Sequence, residues 1–128
     1  MCMITPTTAV NIGANALVMA VLSINVVRLR NKYKASFGDG GHEDLQRAVR
    51  AHANNTEYVP MILLMLVVMA WIGVDLRLVD LFGTLLVLAR VAHAAAIYRK
   101  NFFLRIFGVT MTWFLMIASA VILILRGM

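Results

Sequence analysis

The chain has 128 residues, 62% of them apolar and 14% charged, and carries a formal net charge of +6. Soluble domains average roughly 45–50% apolar and about 25% charged residues, and a domain this short buries only about two-thirds of its unfolded surface. An ordinary soluble domain and a disordered chain are thereby excluded, and a disulfide scaffold is excluded by the single cysteine, Cys2.

The first predicted element follows from the lack of charge between Met1 and Val27. A bilayer core needs roughly 20 apolar residues as helix, and Thr8 to Val27 supplies them. No Lys or Arg precedes this run, so it reads as a retained span over 8–30 and not as a cleaved signal peptide. Pro6 stands just before its start, where proline is tolerated. Phe37-Gly38-Asp39-Gly40-Gly41 then breaks the chain. The apolar run from Tyr58 to Val74 is short, but Glu43 to Glu57 also has helical character, which predicts one long helix over 43–74. The third run, Leu81 to Tyr98, is apolar except for Arg90 and His93 and predicts a helix over 78–99. The fourth, Ile106 to Leu125, has no charge and predicts a helix over 104–126. The expectation is a single all-α membrane domain over 1–128, a four-transmembrane-helix bundle.

The basic residues orient it. The first connection holds Arg28, Arg30, Lys32, Lys34, Arg47 and Arg50, and the third holds Arg99, Lys100 and Arg105. The second has only Arg77 beside Asp75 and Asp80, and the tail only Arg126. The positive-inside bias places loops one and three in the cytoplasm and both termini outside. Basic residues between uncharged runs fit membrane flanks and lipid headgroups better than a nucleic-acid face.

Ionisable groups at membrane depth are costly and usually face a bundle interior or a cavity. Two clusters stand out. In Arg50-Ala51-His52-Ala53-Asn54-Asn55-Thr56-Glu57-Tyr58-Val59-Pro60, the residues Arg50, Asn54, Glu57 and Tyr58 form one helical stripe. In Arg90-Val91-Ala92-His93 the two polar members again share a face. Several guanidiniums, a carboxylate and an amide suit a small ligand with several carboxylates and one ammonium, a description that a γ-glutamyl thiol tripeptide meets. Simpler readings stand beside it. Arg50 and Glu57 can belong to an intrahelical ion network, Arg90 can pair with Glu57 or Asp80 for structure, and His93 can be an interhelical hydrogen bonder. Met61, Met65 and Met69 form a stripe that reads as packing. His42, His52 and His93 lack ligand spacing, so no metal site is expected. Cys2 has no activating neighbour in sequence and reads as incidental.

Val27-Arg28-Leu29-Arg30, the run from Arg50 to Pro60 and Arg90-Val91-Ala92-His93 resemble the MAPEG family, the membrane-associated proteins in eicosanoid and glutathione metabolism. The glycine-rich first loop and the short length look more like its bacterial branch, which implies a bacterial inner membrane. The resemblance implies a homotrimer binding glutathione between adjacent subunits near the cytoplasmic side. It implies contacts from Arg28 (with Arg30 as the adjacent possibility), Asn54 and Glu57, with Arg50 in support. Tyr58 matches a tyrosine of several members, His52 a Gln or His, and Arg90 with His93 the prostaglandin-E-forming pattern. One departure is plain: the family's site tyrosine would fall at Ile97, while the tyrosine here is Tyr98, about 100° further round a helix. Arg105, matched to the catalytic arginine, lies at the family spacing from Tyr98 and not from Ile97. Either a one-residue bulge restores both together, or neither is in place.

The function implied is conjugation of glutathione to a lipophilic electrophile from the bilayer, with reduction of lipid hydroperoxides as a further activity and Arg105 activating the thiol. Two rivals remain open. A non-catalytic glutathione-binding or assembly protein fits the displaced Tyr98. A small four-helix transporter would want a carboxylate in the first span, which has none.

Overall fold

The computed structural model describes residues 4–128, and Cys2 lies outside them. Four helices follow one another: α1 (Pro6–Tyr33), α2 (Glu43–Trp71), α3 (Leu76–Arg99) and α4 (Phe102–Gly127). All four are long and apolar enough to cross a membrane. They agree with the expected spans, and the shifted ends have local causes. Thr5 caps α1 by accepting from the Thr8 amide, with Pro6 in the first helical position. α2 stops three residues early because Ile72-Gly73 turns the chain at a Gly73 φ of +80°, a conformation costly for other residues. The Asp75 carboxylate accepts from the Arg77 amide at 2.9 Å and starts α3 two residues early. Asn101 does the same for α4, accepting from the Leu104 amide at 3.0 Å. Pro60 lies inside α2 and leaves the Thr56 carbonyl without its helical donor.

α2 and α3 form the central pair. α1 packs against both from one side and α4 against both from the other, and among the described residues α1 and α4 do not meet. The core joins Val59, Ile62, Leu66 and Met69 of α2 to Val79, Phe82 and Leu86 of α3 and Leu115 of α4. Met65 and Met69 of the methionine stripe are buried there, but Met61 is 55% exposed. The expectation of packing therefore fails at Met61, because the stripe drifts round the helix as it rises. The apolar excess faces outward, notably Leu17, Val21 and Ile24 of α1 and Phe107, Trp113 and Ile117 of α4.

α1 meets α3 through a polar seam that sequence reading did not single out. Asp80 Oδ1 accepts from the hydroxyls of Thr5 at 2.5 Å and Thr8 at 2.6 Å. The Asn11 amide donates to the Asp80 carbonyl at 3.3 Å and to Thr84 Oγ1 at 3.2 Å. Thr8, Asn11 and Asn15 are all buried, at a spacing of three and then four residues. That periodicity within an uncharged span is the signal that could have revealed them.

Candidate functional site

Arg90 is the largest fully buried side chain, 1% exposed at the junction of α2, α3 and α4. Nε donates to Asn55 Oδ1 at 3.0 Å, and Nη2 to Asn54 Oδ1 at 3.0 Å. Nη1 reaches Thr112 Oγ1 at 3.4 Å, and Nη2 lies 3.2 Å from His93 Nδ1. The guanidinium is thus held by amides, a hydroxyl and an imidazole, and the simpler reading, a pairing with Glu57 or Asp80, does not form. The reason is placement: Glu57 is exposed on α2, while Asp80 is engaged by α1. α4 comes close enough to take part because Gly108 has no side chain; a Cβ there would lie 2.7 Å from His93 Cβ.

Beside this hub lies a cavity of about 590 Å³ lined by Gln46, Arg47, Arg50, Asn54, His93, Ile97, Arg105 and Val109. Four of the residues singled out from sequence (Arg50, Asn54, His93 and Arg105) therefore converge, from three different helices. Arg47 and Gln46 were missed as site residues, although Gln46, Arg50 and Asn54 fall at successive fourth positions of α2. Asn55, also missed, is fully buried on Arg90.

The other predicted residues go elsewhere. Arg28 and Tyr98 line a separate cavity of about 610 Å³ with Val21, Ile24, Asn25, Leu29, Asp44 and Arg47. There the Asn25 amide donates to Tyr98 Oη at 2.9 Å, and Arg28 donates to Asn25 Oδ1 at 2.9 Å. Arg30 donates to the carbonyls of Ala35 and Ser36, both at 3.2 Å, and so holds the chain leaving α1. His52 and Tyr58 are half-buried and do not line the 590 Å³ cavity. Arg50, Glu57, Met61, Leu64 and Val68 form one exposed stripe of α2. Among the described residues the ion pairs are those of Glu43 with Arg47 and with Lys100, so the ion network of the alternative reading of Arg50 and Glu57 is not formed.

Of the alternatives at the end of α3, the one-residue bulge is not present. The helix is regular to Arg99, without a bulge, and Ile97 accompanies His93 into the cavity while Tyr98 turns toward α1. Arg105 nevertheless reaches that cavity. Lys100 is left-handed at φ 54° and Asn101 begins a new helix, so helical periodicity does not carry from Tyr98 to Arg105.

Four helices long and apolar enough to cross a membrane, with a guanidinium-rich cavity between α2, α3 and α4, define an integral membrane protein. Its sequence matches the MAPEG family over residues 8–125, and the chain belongs to that family. It is 34% identical over 99 residues to the inner membrane protein YecN of Escherichia coli strain K12, covering 77% of this chain and 76% of that protein. The YecN of Escherichia coli O6:H1 matches to the same extent.

Proposed function

We propose that this protein is a glutathione transferase of a bacterial inner membrane that joins the glutathione sulfur to lipophilic electrophiles. The observation that carries the reading is the convergence of Arg50, Asn54, His93 and Arg105 on one cavity, together with Arg47. Its volume of about 590 Å³ falls within the range of roughly 300–1,000 Å³ usual for small-molecule sites. Guanidiniums match carboxylates in fork geometry, and two or three of them suit a tripeptide with two carboxylates.

The reacting group is the thiolate, and a thiol of pKa about 8.5 is mostly protonated at neutral pH. A guanidinium beside the sulfur favours the charged form. Arg105, at the mouth of α4, is the residue proposed for that role. The sulfur then attacks carbon, the leaving group departs with its electron pair, and the thiol proton passes to solvent. The electrophile enters sideways from the bilayer, past the exposed apolar faces of α1 and α4.

The active form proposed is a homotrimer. Glu57 stands on an exposed stripe of a membrane helix, where an uncovered carboxylate costs several kcal/mol. A neighbouring subunit would cover it and, in the same proposal, would bring Arg28 and Tyr98 to a ligand bound between subunits, with Glu57 taking its ammonium. Loops one and three face the cytoplasm, from which glutathione enters.

A second reading, glutathione binding without turnover, is favoured by one observation: the cavity wall at position 97 is isoleucine, which brings no hydroxyl to the sulfur. Titration calorimetry of the purified protein in detergent with glutathione, paired with a chlorodinitrobenzene conjugation assay, separates the two. Binding with turnover supports the transferase and binding alone supports the second reading. If neither occurs, both are wrong. Arg105→Ala should lower kcat at least tenfold with little change in Kd, whereas Arg50→Ala should chiefly weaken binding.

A further inference from the structure

The contacts of Arg90 determine which hydrogens face the cavity. A guanidinium has five donors and no acceptor, so each of its hydrogen bonds runs outward. His93 Nδ1, 3.2 Å from Arg90 Nη2, must therefore accept. A proton on Nδ1 would set two donors against each other, so the neutral ring carries its proton on Nε2. The same Nη2 also takes the oxygen of the Asn54 carboxamide, which leaves the amide hydrogens of Asn54 as its free end. His93 and Asn54 both line the cavity, with Arg47, Arg50 and Arg105 as the charged groups beside them. Among these lining residues only Gln46 offers a side-chain oxygen that no such contact has claimed.

We propose that Arg90 is a positioning residue that fixes His93 as an Nε2–H donor and Asn54 as an amide donor, so that the cavity presents a wall of donors selective for an anion-rich ligand. Its place in the packing supports this: Arg90 is fully enclosed and reaches the ligand only through the two groups it orients. Thr112, which donates to the Gly108 carbonyl at 2.7 Å and is therefore free to accept from Arg90, fixes the guanidinium from α4. Selection then falls on carboxylates and sulfur anions and against cationic ligands. The identity of the anion rests on the glutathione reading, but the setting of His93 does not.

Nitrogen NMR of the full-length protein with 15N-labelled histidine, reconstituted in lipid at neutral pH, reads the setting directly. The chain has three histidines (His42, His52 and His93), and a His93→Gln sample identifies the signal. The expected spectrum is a neutral ring protonated on Nε2, with Arg90→Met shifting the ring toward a mixture of tautomers. A His93 ring protonated on Nδ1 in the unsubstituted protein overturns the proposal, even if Arg90→Met fails to fold. For the ligand, His93→Leu should weaken glutathione binding about tenfold or more, the size of one hydrogen bond to a charged partner, while His93→Gln keeps a donor and stays within about threefold. Equal affinity of the Leu variant and the unsubstituted protein refutes the donor role. Absence of glutathione binding in every form counts against the ligand instead, and the nitrogen spectrum still decides the role of Arg90.

Discussion

Gly108→Ala tests whether the close approach of α3 and α4 builds the site. The added Cβ would lie 2.7 Å from His93 Cβ, 2.9 Å from the Ala89 carbonyl oxygen and 3.0 Å from His93 Cα. Comfortable carbon–carbon contact begins near 3.5 Å, so the helices must part by roughly 0.8 Å. Two of the three obstructing atoms are backbone, and rotating a side chain does not relieve them. Overpacking of this kind costs about 1–3 kcal/mol, offset by about 0.5–1 kcal/mol for replacing glycine inside a helix. The net expectation is a loss of about 1–2 kcal/mol, read as a lower midpoint in dodecyl sulfate unfolding of the detergent-purified protein. The parting also breaks the Thr112 contact to Arg90, already long at 3.4 Å, so ligand affinity should fall with stability. Gly83→Ala is the comparison: the three atoms nearest its Cβ all belong to the Asn11 side chain, and Nδ2 at 2.8 Å and Cγ at 3.2 Å can turn away by giving up two weak hydrogen bonds, leaving Asn11 Cβ at 3.1 Å to yield by a few tenths of an ångström. Its cost should be smaller. An unchanged or raised midpoint for Gly108→Ala, or a larger loss at Gly83, would refute the reasoning.

Asp80→Ala removes the acceptor shared by Thr5 and Thr8 and should destabilise by about 1–3 kcal/mol; a cycle with Thr8→Val should give a double loss smaller than the sum. Asn101→Ala deletes the cap of α4 and should cost about 1 kcal/mol, with hydrogen exchange rising first in the turn that leads to Arg105. Glu57→Leu removes a carboxylate that nothing in its own subunit holds, so the dissociated subunit at high detergent dilution should unfold at a midpoint no lower than that of the unsubstituted protein, and higher where the carboxylate lies at membrane depth. In the proposed trimer the same substitution lowers glutathione affinity, measurable by calorimetry.

The class of fold could be read from composition and hydropathy, because a bilayer demands long apolar helices and penalises charge wherever it is not housed. Those same demands exposed Arg90, Asn54 and His93 as residues that needed an interior partner. The helix ends came within a few residues, with the errors confined to caps such as Asp75 and Asn101, whose hydrogen bonds act over two or three residues. What lay beyond one-dimensional pattern was the partner of each polar group. A stripe on α2 states which residues share a face but not which helix that face meets. Glu57 thus shares a stripe with Arg50 yet stands outside the cavity that Arg50 lines. Arg105 joins the cavity because a left-handed residue and a new cap intervene after α3, which breaks the angular bookkeeping that spacing relies on. Periodicity alone thus determined that charge is buried in this membrane protein. Only packing decided that amides and an imidazole, not carboxylates, receive it, because that choice depends on how α2, α3 and α4 close around Gly108.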